Sequence, residues 1–201
     1  MMFANVLKRL ISSGICVITA IALAAPAHAT ERQYVQMRDA MRRLSPLEGA
    51  WRSVWRFYDK HGVTELPGTY TISFVLDGAY LEWRAEHRRK NDPHRNYSWI
   101  LMTTFNPDSN RYEQTYFFNT WPYRVTESGV FDSKRREFRT KAVIPREDGV
   151  HDEHVRSIVD LRDVNKIVYT HYSRYSYENR ERLQLVVTLT RLKSRATTRD
   201  R

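Results

Sequence analysis

Residues 68–88 read GTYTISFVLDGAYLEWRAEHR, and this stretch decides the fold. Apolar and polar residues alternate on both sides of Asp77-Gly78, and a period of two predicts half-buried β-strands. An Asp-Gly pair between two such runs is a strong signal of a two-residue type I′ hairpin turn. Before the turn, Tyr70, Ile72 and Phe74 share one strand face. The stretch therefore predicts an antiparallel hairpin with one apolar face.

The same alternation recurs along most of the chain. Consecutive strands joined by hairpins predict an up-and-down meander, and closure into a barrel would remove its two exposed edges. We therefore expect a mainly all-β protein, an antiparallel up-and-down β-barrel of about ten strands. The predicted strands are Trp51–Tyr58, Gly68–Leu76, Ala79–Arg88, Tyr97–Phe105, Arg111–Phe118, Arg124–Phe131, Arg135–Val143, His154–Leu161, Lys166–Tyr175 and Arg182–Leu192.

One helix is predicted before the barrel. Tyr34, Met37, Met41 and Leu44 follow a helical spacing and would form one apolar stripe. Ser45-Pro46 ends this pattern, because the residue before a proline disfavours the helical conformation. The predicted organisation is a signal peptide over residues 1–29, a helix over 30–46, a barrel over 47–193 and a basic tail over 194–201.

The first 29 residues have the features of a secretory signal peptide. Lys8 and Arg9 precede the apolar run Leu10–Ala25, and Ala27-His28-Ala29 is a small-x-small cleavage site. The run is shorter than the roughly 20 residues of a membrane span. We expect a periplasmic or secreted protein with no integral membrane span after cleavage; an uncleaved N-terminal anchor is the alternative.

The charge of the chain is strongly basic. It has 33 Lys and Arg against 23 Asp and Glu, a formal net charge of +10. These basic residues are spread over strand faces and loops, and they are concentrated only in the tail from Arg191. This distribution favours a solvated basic surface, so we expect no nucleic-acid partner.

Loop lengths predict that the barrel has a closed end and a mouth. At one end the predicted connections are short, such as Asp77-Gly78 and Asp163–Asn165, and tight turns would pinch that end shut. The connections predicted at the opposite end are longer and polar: Asp59–Pro67, Arg89–Asn96, Asn119–Tyr123, Ile144–Glu153 and Ser176–Glu181.

Several motifs resemble a known family. The Gly49-Ala50-Trp51 opening of the first strand resembles the lipocalin and calycin barrels, and the whole pattern is most similar to a bacterial lipocalin-like family catalogued as a domain of unknown function. This resemblance implies a ligand-binding barrel and brings no catalytic residues. The other stretches that carry it are Leu76-Asp77-Gly78-Ala79-Tyr80-Leu81, Phe105 to Tyr112, Glu127 to Asp132 and Leu189-Thr190-Arg191-Leu192.

The resemblance also implies a role for two residues at the closed end. In lipocalin-like barrels an arginine near the end of the last strand stacks on the Gly-x-Trp tryptophan. Arg191 shares the parity of the inward residues of its strand, and Trp51 begins at the same end. A cation–π contact between them would close the barrel, which makes Trp51 a structural residue.

The inward positions towards the mouth suggest a pocket. Aromatic walls with a few polar groups are typical of small-molecule sites, although small barrels can also fill their interiors with side chains. The candidate ligand-binding residues are Trp55, Phe57, His87, Trp99, Tyr116, Glu127, Tyr169 and His171.

These candidates lead to one main hypothesis and three alternatives. We expect non-catalytic binding of a small apolar or aromatic molecule, with no cofactor. The alternatives are an acid–base enzyme that uses His171 and Glu127, a haem-binding barrel with His87 or His171 on the iron, and an interaction module with a filled core. His151 to His154 predicts no metal site but a polar loop at the mouth, because strand residues three apart point to opposite faces.

Overall fold

A computed structural model describes residues 30–89, 92–120, 124–145 and 151–193, without the side chains of 88–89 and 92–96. The predicted signal peptide and basic tail lie outside the described residues. From Glu31 the chain forms one unit, in which a helix precedes ten strands. The elements are α1 (Glu31–Arg42), a 3-10 turn (Ser45–Leu47), β1 (Gly49–Asp59), β2 (Gly62–Val75), β3 (Tyr80–Arg89), β4 (Asp92–Asn106), β5 (Arg111–Phe118), β6 (Val125–Asp132), β7 (Glu137–Pro145), β8 (Asp152–Asp163), β9 (Lys166–Tyr175) and β10 (Arg182–Arg191).

The predicted fold class is confirmed. Each strand pairs antiparallel with its neighbour in sequence, and β10 pairs with β1 to complete a closed barrel. The closing register places Trp51 opposite Arg191 and Phe57 opposite Leu185. Closure gives both edge strands a hydrogen-bonding partner, which an open meander would leave exposed.

The mouth is built from longer strands than the sequence predicted. β2 begins at Gly62, so the predicted loop Asp59–Pro67 is a hairpin with only two residues in its turn. Pro67 lies within β2, opposite Val54 of β1. The pairing of β2 with β3 begins only at Gly68, so no β3 partner there requires the N–H that a proline lacks.

The turn between β2 and β3 also differs from the prediction. β2 ends at Val75 and β3 begins at Tyr80, so four residues connect the strands instead of two. Leu76, Asp77 and Gly78 all have positive φ angles, of 50°, 54° and 83°. Glycine adopts this conformation freely and aspartate tolerates it, whereas leucine is strained by it.

The helix packs on the end of the barrel away from the mouth. Met41 and Leu44 are buried in the core, and the Tyr112 hydroxyl donates a hydrogen bond of 2.8 Å to the carbonyl of Ala40. Tyr34, predicted to share the apolar stripe, is 43% exposed, so the buried part of the stripe lies towards the end of α1. Among the described residues, no helix has the length and apolar character needed to cross a membrane.

Arg191 contacts several segments of the chain at the closed end of the barrel. Its guanidinium carbon lies 4.0 Å from the centre of the Trp51 ring. The same guanidinium donates hydrogen bonds to the carbonyl oxygens of Val164, Glu48 and Pro46. One side chain therefore joins the last strand, the β8–β9 turn and the segment that leads into β1.

The Gly49-Ala50-Trp51 motif makes room for this contact. Gly49 has a φ of +136°, and a Cβ atom at that position would lie 2.7 Å from a guanidinium nitrogen of Arg191. Trp51 is fully buried, and its indole N–H donates a 3.0 Å hydrogen bond to the carbonyl of Leu47. The glycine admits the arginine, and the tryptophan supplies the surface on which it stacks.

Candidate ligand-binding cavity

The interior of the barrel holds a cavity of about 540 Å³. Its lining includes Phe57, Asp59, Ile144 and Glu153, which lie near the strand ends opposite α1. This volume falls within the range of small-molecule pockets. The barrel is therefore not filled by its own side chains, as the interaction-module alternative required.

One wall of the cavity is aromatic. The Trp99 ring stacks on Tyr116 at 5.5 Å between ring centres and on Phe118 at 6.1 Å, with interplanar angles of 18° and 20°. The rings of Tyr116 and Phe118 are nearly parallel, with an interplanar angle of 6°. Trp55 meets Trp99 edge-on at 5.7 Å. Because β4 and β5 are paired, their inward positions present the three rings as one continuous face.

The adjoining wall carries a buried hydrogen-bond network. Thr140 donates a short hydrogen bond to one carboxyl oxygen of Glu127, and the Ser157 hydroxyl lies 3.3 Å from the other. Ser157 is also 2.9 Å from the Tyr169 hydroxyl and 3.1 Å from Nδ1 of His171. The network connects β6, β7, β8 and β9 across the cavity wall.

Burial favours the neutral forms of these groups. It raises the pKa of Glu127, and the hydrogen bonds from Thr140 and Ser157 oppose that shift. It raises the pKa of Tyr169, to which the nearby Glu127 also contributes. It lowers the pKa of His171, while Glu153 acts in the opposite direction. At this wall Glu127 is therefore a weaker acid, and His171 a weaker base, than the same side chains are in water.

The acid–base pair of Glu127 and His171, which the sequence offered as an alternative, is not a direct contact. Ser157 stands between Glu127 and His171 and is within hydrogen-bond distance of both. Sequence reasoning did not select Ser157, although it lies on the same face of its strand as Val155 and Val159. The signal that could have identified Ser157 is that it is a small polar residue among inward-facing apolar residues.

Seven of the eight predicted ligand-binding residues line the cavity, and His87 does not. His87 is 1% exposed and packs against Trp55, with 4.5 Å between ring centres. A Cβ atom on Gly68 would lie 2.2 Å from its Nδ1, so the ring fills the space that the glycine leaves. Its burial lowers its pKa to about 4. The seven lining residues are Trp55, Phe57, Trp99, Tyr116, Glu127, Tyr169 and His171.

Sequence reasoning missed two polar or aromatic lining residues on β5. Gln114 and Phe118 share the inward face of that strand with Tyr116, so strict alternation could have found them. A third lining residue, Gln184, could not be found in this way. The pairing of β10 with β9 shifts between Leu183 and Leu185, and Gln184 is the additional residue of this bulge.

The stretch from His151 to His154, predicted to form a polar loop at the mouth, lies in a strand from Asp152 onwards. β8 begins at Asp152, and Glu153, which pairs with Ile144 of β7 and Tyr175 of β9, lines the cavity. In the part of the chain that the structure describes, no group of three or more His, Cys, Asp or Glu side chains could hold a metal ion.

Comparisons with known proteins agree with this architecture. The crystal structure of Rv2717c from M. tuberculosis is similar, with a TM-score of 0.56 and 15% identity over 78% of this chain and 99% of that one. The S-type phycobiliprotein lyase CPES from Guillardia theta is similar at a TM-score of 0.55 and 11% identity, over 82% and 99%. At these identities the likeness shows the fold alone. No curated protein matches the sequence.

The family assignment comes from the sequence itself. The profile of the family described as "Protein of unknown function (DUF1579)" matches residues 36–189, from within α1 to near the end of β10. The expected resemblance to a lipocalin-like family of unknown function is thus confirmed, and this chain belongs to the DUF1579 family.

Proposed function

We propose that this protein binds a small apolar or aromatic molecule inside the barrel and does not transform it. The observation that carries this proposal is the cavity of about 540 Å³ with its stacked wall of Trp99, Tyr116 and Phe118. Fold similarity to a phycobiliprotein lyase supports a barrel that receives a ligand.

The aromatic wall explains how a guest would gain affinity. A flat ring laid on it would bury apolar area, which contributes about 25 cal/mol per Å² removed from water. Aromatic pairs add about 0.5–1.5 kcal/mol beyond that area effect. The rings are already held against one another before binding, so little side-chain freedom remains to be lost.

The proposal includes export from the cytoplasm. It rests on the predicted signal peptide, residues 1–29, which carries a basic segment, an apolar run and a cleavage site. Binding would then take place in the periplasm or outside the cell.

The experiment is a fluorescence titration with N-phenyl-1-naphthylamine, a neutral aromatic probe. We expect saturable binding with quenching of protein tryptophan. Phe118→Ala should weaken the affinity about five- to tenfold, because it removes one ring of the wall. The matched control is Phe117→Ala, on the next residue of the same strand, where the ring is 47% exposed and absent from the cavity lining.

Equal losses of affinity in the two phenylalanine variants would place the probe outside the barrel. Absence of saturable binding in the wild-type protein would end the proposal altogether. Circular dichroism of each variant should first establish that the β-sheet signal is intact.

A further inference from the structure

The described lining of the cavity carries carboxyl groups, whereas the chain as a whole is strongly basic. The protein has a net charge of +10. The described residues that line the cavity nevertheless include the carboxyl groups of Asp59, Glu127 and Glu153, and neither a lysine nor an arginine. An anionic guest would therefore enter a site with no cation among these residues to receive it, and buried unpaired charge is costly.

Glu127 is the deepest of these carboxyl groups. It is 2% exposed, and its described hydrogen-bond partners, Thr140 and Ser157, are neutral hydroxyl groups. In the described part of the chain it has no ion-pair partner. A buried carboxyl group in this state would gain from a cation brought to it by a ligand, since a paired buried charge costs far less than a single one.

Two further polar atoms lie beside Glu127 and make no hydrogen bond of normal geometry with the described residues. Gln114 pairs directly with Glu127 across β5 and β6, and its side-chain oxygen has no hydrogen-bond partner among the described residues. The hydroxyl of Tyr116 makes no hydrogen bond of normal geometry with the described residues, but it lies close enough to Glu127 and Tyr169 for both to raise the tyrosine pKa. Gln114 and Tyr116 are 1% and 6% exposed, and both line the cavity.

All three of these groups can accept a hydrogen bond from a ligand. A carboxylate and an amide oxygen only accept hydrogen bonds, and a tyrosine hydroxyl can also accept one. An ammonium group offers several N–H donors together with a positive charge. The aromatic rings beside it would add a cation–π attraction.

We propose that the ligand of this cavity is an organic amine with an aromatic or apolar body, whose ammonium group binds Glu127, Gln114 and Tyr116. The inference rests on the proposed binding function and names the class of ligand. The body of the amine lies along the rings of Trp99 and Phe118. A carboxylate of the same shape would bind more weakly, because it brings neither a positive charge to Glu127 nor N–H donors to Gln114 and Tyr116.

The ammonium group should also change how Glu127 titrates. Burial raises the pKa of Glu127, and a cation beside it would lower that pKa again. The titratable groups nearest to Glu127 are Tyr116 and Tyr169, whose pKa values burial raises, and His171, whose pKa it lowers.

The test uses three probes with one skeleton: 2-(1-naphthyl)ethylamine, 2-(1-naphthyl)ethanol and 1-naphthylacetate. Calorimetric titration near pH 7 should show the amine binding at least tenfold more tightly than the alcohol, with the carboxylate weakest. Glu127→Gln should reduce the affinity for the amine to that for the alcohol. Glu86→Gln is the matched control, because it removes the same charge from an exposed position on β3.

Two results would overturn the amine proposal. One is a carboxylate that binds as tightly as the amine, and the other is a Glu127→Gln protein that keeps the tenfold preference. If Glu127→Gln does not fold, Tyr116→Phe decides: a loss of at least threefold for the amine supports the proposal, and unchanged affinity for the amine overturns it. If only the amine proposal fails, the neutral probe N-phenyl-1-naphthylamine should still bind to the protein. If the proposed binding function itself fails, no probe binds, so the two failures can be distinguished.

Discussion

The contact between Arg191 and Trp51 offers a quantitative test of how the barrel closes. Arg191→Ala would remove the guanidinium that stacks on Trp51 at 4.0 Å and donates to the carbonyl groups of Val164, Glu48 and Pro46. Trp51→Ala would remove the buried surface on which that guanidinium lies. The two changes together form a double-mutant cycle.

The magnitude follows from these contacts. Arg191 is partly exposed and the released carbonyl groups regain water, so we take about 0.5–1 kcal/mol for each of the three hydrogen bonds. The stacking adds about 0.5–1 kcal/mol. Arg191→Ala should therefore destabilise the fold by about 2–4 kcal/mol. Trp51→Ala should cost about 3–5 kcal/mol, because the ring is fully buried.

Urea unfolding followed by circular dichroism measures the cycle. We expect a coupling energy of at least about 0.5 kcal/mol between the two substitutions, since residues in contact are not additive. Arg84→Ala on the outer face of β3 is the control and should leave the unfolding midpoint unchanged within error. Gly49→Ala should mimic the loss of Arg191, because the added Cβ would displace its guanidinium. Strict additivity of Arg191→Ala and Trp51→Ala would refute the reasoning.

Three more predictions concern other parts of the chain. Burial holds the pKa of His87 near 4, below its ordinary 6.5, so the unfolded chain takes up this proton first and stability is lost as pH falls from about 6.5 towards 4. The difference in unfolding free energy between wild type and His87→Gln should therefore change across that window and stay constant above pH 7. Leu76→Gly should stabilise the protein by up to about 1 kcal/mol, because it relieves a left-handed leucine that is 71% exposed; a lower urea midpoint would argue against strain in this turn. Export should produce a protein that begins at Thr30, and a full-length species retained in membranes on intact-mass analysis would contradict cleavage after Ala29.

Local alternation was a reliable guide where strands are regular. The predicted bounds of β5 (Arg111–Phe118) and β9 (Lys166–Tyr175) agree with the structure, and so does the inward face of β3. A period of two depends only on neighbouring residues, which is why sequence alone predicts it. Strand ends at the mouth were harder to predict, because Pro67 and the turn chemistry around it suggest a loop. Only the pairing of β2 with β1 makes that segment a strand.

The residues of the candidate site were also only partly predictable from sequence. Alternation placed Trp55, Tyr116 and Tyr169 on inward faces, but it placed His87 there equally, since it cannot distinguish a residue that lines a cavity from one packed behind another ring. It also could not show that Ser157 would stand between Glu127 and His171, three residues on different strands.

The sequence by itself determined the β-barrel class, the parity of the regular strands and the chemistry available to the interior. Those features follow from the spacing of apolar residues and from turn residues, which act over a few positions of chain. The tertiary structure alone decided that the barrel encloses a cavity and that Glu127, Gln114 and Tyr116 meet on its wall. Both depend on strand register and on how ten inward faces share one volume, and no local stretch of sequence encodes that balance.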